Sequence, residues 1–153
     1  MPASDVYKRQ AEFLGLREHI AAITARAMNG EIDFAGALRE RVGLLKGLPV
    51  ARLAEAATRI RYMPGARALV ATMRANGAYC ALVSGGFTFY TAMVRTKVGF
   101  DEDRANRLLD DGSTLAGLVG EPILGKEAKL ESLQSLATSR GVPIAETMSV
   151  GDG

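Results

Sequence analysis

Tyr79-Cys80-Ala81-Leu82-Val83-Ser84-Gly85-Gly86 is a short apolar run broken by Ser-Gly-Gly. Five apolar residues fall short of helical length and predict a strand. Residues 87–97, with Phe87, Tyr90 and Val94 on one side, predict a helix directly after it. Upstream, Pro64 suits a helix start, Leu69, Val70 and Met73 give that helix a buried side, and Asn76-Gly77 stops it. Downstream, residues 98–124 hold turn signals, and Asp111-Gly112 between Leu108-Leu109 and Leu115 predicts a β-hairpin. Lys126 to Arg140 predicts a helix with Leu130, Leu133, Leu136 and Ala137 on one side, closed by Gly141 and blocked by Pro143. Met148-Ser149-Val150 predicts a last strand entering Gly151-Asp152-Gly153. Helices alternating with strands after residue 64 imply an α/β layer with a parallel sheet.

The first sixty residues differ in character. Leu14, Leu16, Ile20, Ile23 and Met28 recur at helical spacing up to the stop pair Asn29-Gly30. Asp33 suits the cap of a second helix with Phe34, Leu38, Val42 and Leu45 on its apolar side, ending at Gly47. Pro49 opens a third, with Val50, Leu53, Ala54, Ala57 and Ile60 in phase. Three amphipathic helices without an intervening strand predict a helical subdomain.

Composition removes several classes of function. The chain has 153 residues, 48% apolar and 24% charged, with 19 basic against 17 acidic residues. That excludes a largely disordered or membrane-embedded chain and gives no electrostatic case for nucleic acid or acidic lipid. One cysteine, Cys80, excludes an internal disulfide framework and favours a reducing compartment. One histidine, His19, leaves no His-based metal site or Ser-His-Asp triad within the chain. His19 is read as a helix-surface imidazole and Cys80 as a buried strand thiol. No apolar run reaches membrane-spanning length and the start lacks a signal-peptide core, so the expected location is cytoplasmic.

Four positions could carry chemistry, and each has a plain structural alternative. The bend at Ser84-Gly85-Gly86 can aim backbone N–H groups, a hydroxyl and a helix dipole at an anion. It is equally a tight strand-to-helix turn that needs glycine for its backbone angles. Asp152, between two glycines at a strand end, suits Mg²⁺, although Asp-Gly alone is an ordinary turn. Lys129 near a helix start opposes the dipole, which a phosphate or carboxylate partner would explain and a solvated surface lysine would not require. Arg41 shares a side with Phe34, Leu38 and Leu45; it snorkels to water or grips a carboxylate with its planar fork.

Taken in order, the words Ala27-Met28-Asn29-Gly30, Phe34, Leu38-Arg39-Glu40-Arg41-Val42, Leu44-Leu45-Lys46, Leu82-Val83-Ser84-Gly85-Gly86-Phe87, Ala105-Asn106-Arg107-Leu108, Ala128-Lys129 and Ser149-Val150-Gly151-Asp152-Gly153 resemble the phosphoserine phosphatases of the haloacid dehalogenase-like superfamily. The resemblance covers about residues 11–153. It implies a Rossmann-like core with a parallel sheet, here 63–153, carrying a small helical cap at 11–62. It also implies a magnesium-dependent hydrolase of L-phosphoserine, in the last step of serine biosynthesis. There an aspartate attacks phosphorus and water hydrolyses the resulting aspartyl-phosphate. On this chain the resemblance gives phosphate binding to Ser84 and the Gly85 amide, charge neutralisation to Lys129, and Mg²⁺ to Asp152. It gives Arg41 the substrate carboxylate, and Met28 and Phe34 the pocket walls. Phosphoryl transfer needs positioning and charge neutralisation above all, so scarce histidine and cysteine are no obstacle.

Two departures stand beside the matches. Asp-x-Asp-x-Thr, which in the family supplies the nucleophile and the general acid/base, does not occur in this sequence. The opening MPASDVYKRQ has no strand pattern and is expected to be unrelated to the family, and the role of the family's amine-binding glutamate is not carried to Asp5. Of the final Gly-Asp-Gly-Ala-Asn-Asp motif, only Gly-Asp-Gly is present. The expectation is a fragment without the first core strand, catalytically inactive alone and poorly folded, because unpaired inner strand edges are costly. The alternatives are a related phosphatase for another small ester such as phosphohomoserine, and a non-catalytic anion-binding module.

Overall fold

A computed structural model describes residues 17–151 of the chain. Helices α1 (Arg17–Met28), α2 (Phe34–Gly43) and α3 (Ala51–Ala57) come first. They are followed by α4 (Ala66–Ala75), β1 (Ala81–Phe87), α5 (Thr88–Val98) and β2 (Glu102–Asn106). The hairpin β3 (Leu108–Asp110) and β4 (Leu115–Val119), α6 (Lys126–Arg140) and a 3-10 turn at Ile144–Glu146 complete the order. Strands β1 and β2 pair in parallel, the connection being α5, and α5 packs on both. Helix α6 packs on β1 and α4 on α5.

Local chemistry sets most of these boundaries. The Asp33 carboxylate accepts from the Gly36 amide at 2.7 Å, capping α2 as expected. Gly141 ends α6 in the left-handed region at φ 65°, satisfying a terminal carbonyl of Ala137 or Thr138. In the hairpin turn the Asp111 carboxylate accepts from the amides of Ser113 (2.9 Å) and Thr114 (2.8 Å). Those two amides, Thr114 foremost, hold its carboxyl well below the usual carboxylate range.

One apolar core joins the leading helices to the hairpin. Ile20, Leu38, Val42, Leu45, Leu48, Leu53 and Ala57 cluster with Leu108, Leu115 and Val119, and with Phe87 and Tyr90. Burying a side chain such as Leu38 or Leu53 stabilises the fold by about 1.5–3 kcal/mol. The segment after α2 is also stitched to β4 through its backbone. The Gly47 amide donates to the Leu115 carbonyl, and the Leu115 amide to the Leu48 carbonyl, both at 2.8 Å. The Val50 amide donates to the Ser113 carbonyl at 2.9 Å.

Several expectations are corrected. Met148-Ser149-Val150 is extended but joins no ladder among the described residues, and Met148 and Val150 are exposed. A parallel strand exists only where a neighbour supplies the other half of its hydrogen bonds, and none is described beside it. Strand β1 runs on through Ser-Gly-Gly to Phe87, because the β2 register continues to the pair Phe87 and Asn106 across a bulge. Phe87 therefore closes the strand instead of opening the helix. Cys80 precedes β1 and is only half-buried, and that burial pushes its thiol pKa up. Leu69 and Leu130 are exposed, while Val70, Ser132 and Ala137 are the buried positions of α4 and α6. His19 is on the surface of α1, as expected. Residues 1–16, including the expected boundary at residue 10, lie outside the described residues.

Candidate active site

Three residues singled out on the helical segment meet in one cavity. Met28 at the end of α1, and Phe34 and Arg41 two turns apart on α2, line a space of about 260 Å³ together with Thr24, Ala27 and Ala37. The spacing of Phe34, Ala37 and Arg41 at i, i+3 and i+7 puts all three on the same side of α2. The Arg41 Nε donates to the Ala37 carbonyl one turn back, at 3.1 Å, which aims the guanidinium along the helix. Apolar walls ending in a planar cation are suited to a small ligand with a carboxylate at one end.

Phe34 connects this cavity to the sheet. A Cβ placed on Gly85 would lie 3.3 Å from the Phe34 Cζ, and one on Gly125 would lie 3.2 Å from its Cδ1. The ring therefore sits between the end of β1 and the entry to α6, and both glycines are small to admit it. Neither Gly85 nor Gly86 adopts a positive φ. The glycines of the Ser-Gly-Gly bend thus serve close approach, not the special backbone angles of a tight turn. Within the bend the Gly86 amide donates to the Ser84 Oγ at 3.0 Å, which fixes the hydroxyl.

Lys129 stands one turn into α6, exposed, on the helix that packs against β1. Gly125 caps α6 without any side-chain bond. The dipole of α6 gives this helix start a partial positive charge. Asp152 lies outside the described residues. Among those described, no group of three His, Cys, Asp or Glu converges as a metal site. The described residues form the walls of a cavity and do not form a magnesium cluster.

One further residue was legible in sequence only as part of the word Ala105-Asn106-Arg107-Leu108, with no role attached to it. Asn106, at the end of β2 and fully buried, bonds only to backbone. Its Nδ2 donates to the Gly85 carbonyl (3.0 Å) and the Leu124 carbonyl (3.1 Å), and its Oδ1 accepts from the Leu124 amide (2.7 Å). An ion pair of Arg39 with Glu121 at 2.7 Å adds a solvent-exposed tie from α2 to the same loop.

A model of the haloacid dehalogenase-like hydrolase family matches residues 5–153. The chain belongs to that family. Within this haloacid dehalogenase-like chain, 149 residues are 37% identical to a phosphoserine phosphatase of Mycobacterium tuberculosis, covering 97% of the chain and 36% of that relative. A crystal structure of a probable phosphoserine phosphatase from Vibrio cholerae, unliganded, superposes with a TM-score of 0.91 at 34% identity, over 97% of the chain and 46% of that one. A substrate-bound phosphoserine phosphatase complex superposes at 0.83 and 36% identity, over 99% of the chain and 70% of that one. The chain spans between 36% and 66% of the length of the first curated relatives it matches.

Proposed function

We propose that this chain provides the phosphate- and carboxylate-binding parts of a phosphoserine phosphatase, converting L-phosphoserine and water to L-serine and phosphate in serine biosynthesis. The convergence of Met28, Phe34 and Arg41 on one cavity, whose Phe34 wall abuts Gly85 beside Ser84, carries the reading. Arg41 holds the substrate carboxylate in two-point fashion, and Met28 and Phe34 line the pocket for the carbon skeleton. Ser84 and the Gly85 amide bind the phosphoryl oxygens, while Lys129 offsets their charge. The nucleophile is an aspartate of an Asp-x-Asp-x-Thr strand, a motif these 153 residues do not contain. Asp152, together with such a strand, would hold Mg²⁺, which would neutralise charge on the phosphoryl group. The division into a cap at 11–62 and a partial core at 63–153 follows the same reading. A reducing, cytoplasmic setting fits the single cysteine, and among the described residues no helix is long and apolar enough to cross a membrane.

The test joins this segment to a strand bearing Asp-x-Asp-x-Thr in one polypeptide and measures phosphate release with Mg²⁺. L-phosphoserine should turn over far faster than O-phosphoethanolamine, which lacks only the carboxylate. Equal rates would remove Arg41 from its role and favour a phosphatase for another ester. The missing motif itself favours a second reading, an anion-binding module. That reading predicts phosphoserine binding without turnover even in the joined polypeptide.

A further inference from the structure

Asn106 is a fully buried polar side chain, and all three of its bonds go to main chain far away in sequence. Its partners are Gly85, 21 residues upstream, and Leu124, 18 residues downstream. Gly85 follows Ser84 and closes against Phe34; Leu124 precedes Gly125, which closes against the other side of the same ring and caps α6. Any apolar side chain here would leave two carbonyls and one amide without their partner, so this one amide ties the two segments at a fixed spacing.

We infer that Asn106 is a positioning residue: it clamps the Ser84–Gly85 bend to the start of α6, so that the hydroxyl of Ser84 and the helix bearing Lys129 meet one anion at a set distance. The inference rests on the phosphate reading above and adds to it the element that sets the geometry. The amide group is uniquely suited, because one side chain must donate to two carbonyls and accept from an amide. An aspartate would keep the bond from the Leu124 amide but place a carboxylate against the carbonyls of Gly85 and Leu124. Alanine would leave all three backbone groups unmet. The clamp also sets the width of the slot that receives Phe34, so its loss loosens the cavity wall on the sheet side.

The experiment measures inorganic phosphate affinity by calorimetry, and thermal unfolding, in wild type, Asn106→Asp and Asn106→Ala. Leu108→Ala is the control: buried two residues on, in β3, it removes apolar packing and none of the three bonds of Asn106. Because small errors of placement cost binding groups heavily, both Asn106 variants should bind phosphate roughly tenfold or more weakly. Leu108→Ala, melting at an equally lowered temperature, should bind like wild type. The backbone amide resonances of Gly85, Gly86 and Leu124 should shift together in Asn106→Asp, the milder variant, should alanine fail to fold. Unchanged phosphate affinity in a folded Asn106→Asp, or an equal loss in Leu108→Ala, overturns the inference. A wild-type protein that binds no phosphate overturns instead the reading it rests on.

Discussion

Replacing Gly117 by alanine should uncouple the leading helices from the hairpin, and the structure gives the size of the effect. Gly117 lies in β4 at φ 73°, where a side chain is strained, and its Cβ would fall 2.7 Å from the Lys46 Cβ and 3.2 Å from the Lys46 Cα. The Gly43 carbonyl oxygen stands at 3.3 Å. Left-handed backbone costs a non-glycine residue about 1 kcal/mol, and forcing a methyl into a filled space costs about 1–3 kcal/mol. The sum is about 2–4 kcal/mol, which for a domain of this size lowers the melting temperature by about 4–16 °C. Gly112, at φ 90° with nothing within 4 Å, isolates the backbone part. Gly112→Ala should therefore lower the midpoint by only a few degrees, corresponding to about 1 kcal/mol. Calorimetric or circular-dichroism melts of both variants under one set of conditions decide the matter. Equal shifts in the two would refute the tight approach of the α2–α3 segment to β4.

Two further outcomes follow from the site and its surroundings. Arg41→Lys keeps the charge but loses the two-point fork; giving up one charge-assisted bond should weaken L-phosphoserine binding about ten- to a hundredfold while leaving inorganic phosphate affinity unchanged, both measured by calorimetry. Around Glu102, burial raises the pKa, but the hydrogen bonds from Tyr79 (2.8 Å) and Arg104 outweigh it and the carboxyl titrates below its ordinary value. A depressed carboxylate stabilises the fold above its unfolded pKa, and that contribution is lost as pH falls through the folded value. Tyr79 is raised, chiefly by the same bond, so its contribution is present below the ordinary tyrosine pKa and fades as pH rises through the folded one. Tyr79→Phe should move the Glu102 titration upward by carbon-13 NMR; an unmoved carboxyl would show that the bond does not form in solution.

Elements whose signals are local were legible in the sequence. Helix α6 begins and ends where Lys126, Gly141 and Pro143 place it, Asp33 caps α2, and Asp111-Gly112 turns the hairpin. Strand β2 was not legible. Glu102-Asp103-Arg104-Ala105-Asn106 has no apolar alternation, and it forms a strand because β1 offers a free ladder and its charges find partners. The Asp103 carboxylate accepts from the Thr91 hydroxyl at 2.6 Å, and Glu102 from Tyr79. The opposite error occurs at Met148-Ser149-Val150, where an apolar local pattern has no described neighbour to pair with. In the site, helical periodicity put Phe34 and Arg41 on one side of α2, while Met28 was legible only through the resemblance of its sequence word to the family. Asn106 was legible as part of a family word but its role was not, since that lies in carbonyls 18 and 21 residues away, which no local window contains.

The most direct check of the shared anion site is a double-mutant cycle. Inorganic phosphate affinity is measured for wild type, Ser84→Ala, Lys129→Ala and the pair. Two groups acting on one ligand should show a coupling of about 0.5 kcal/mol or more, with the double variant losing less than the sum of the singles. Strictly additive losses, or no loss in Lys129→Ala, would mean that β1 and α6 do not present these side chains to the same phosphate.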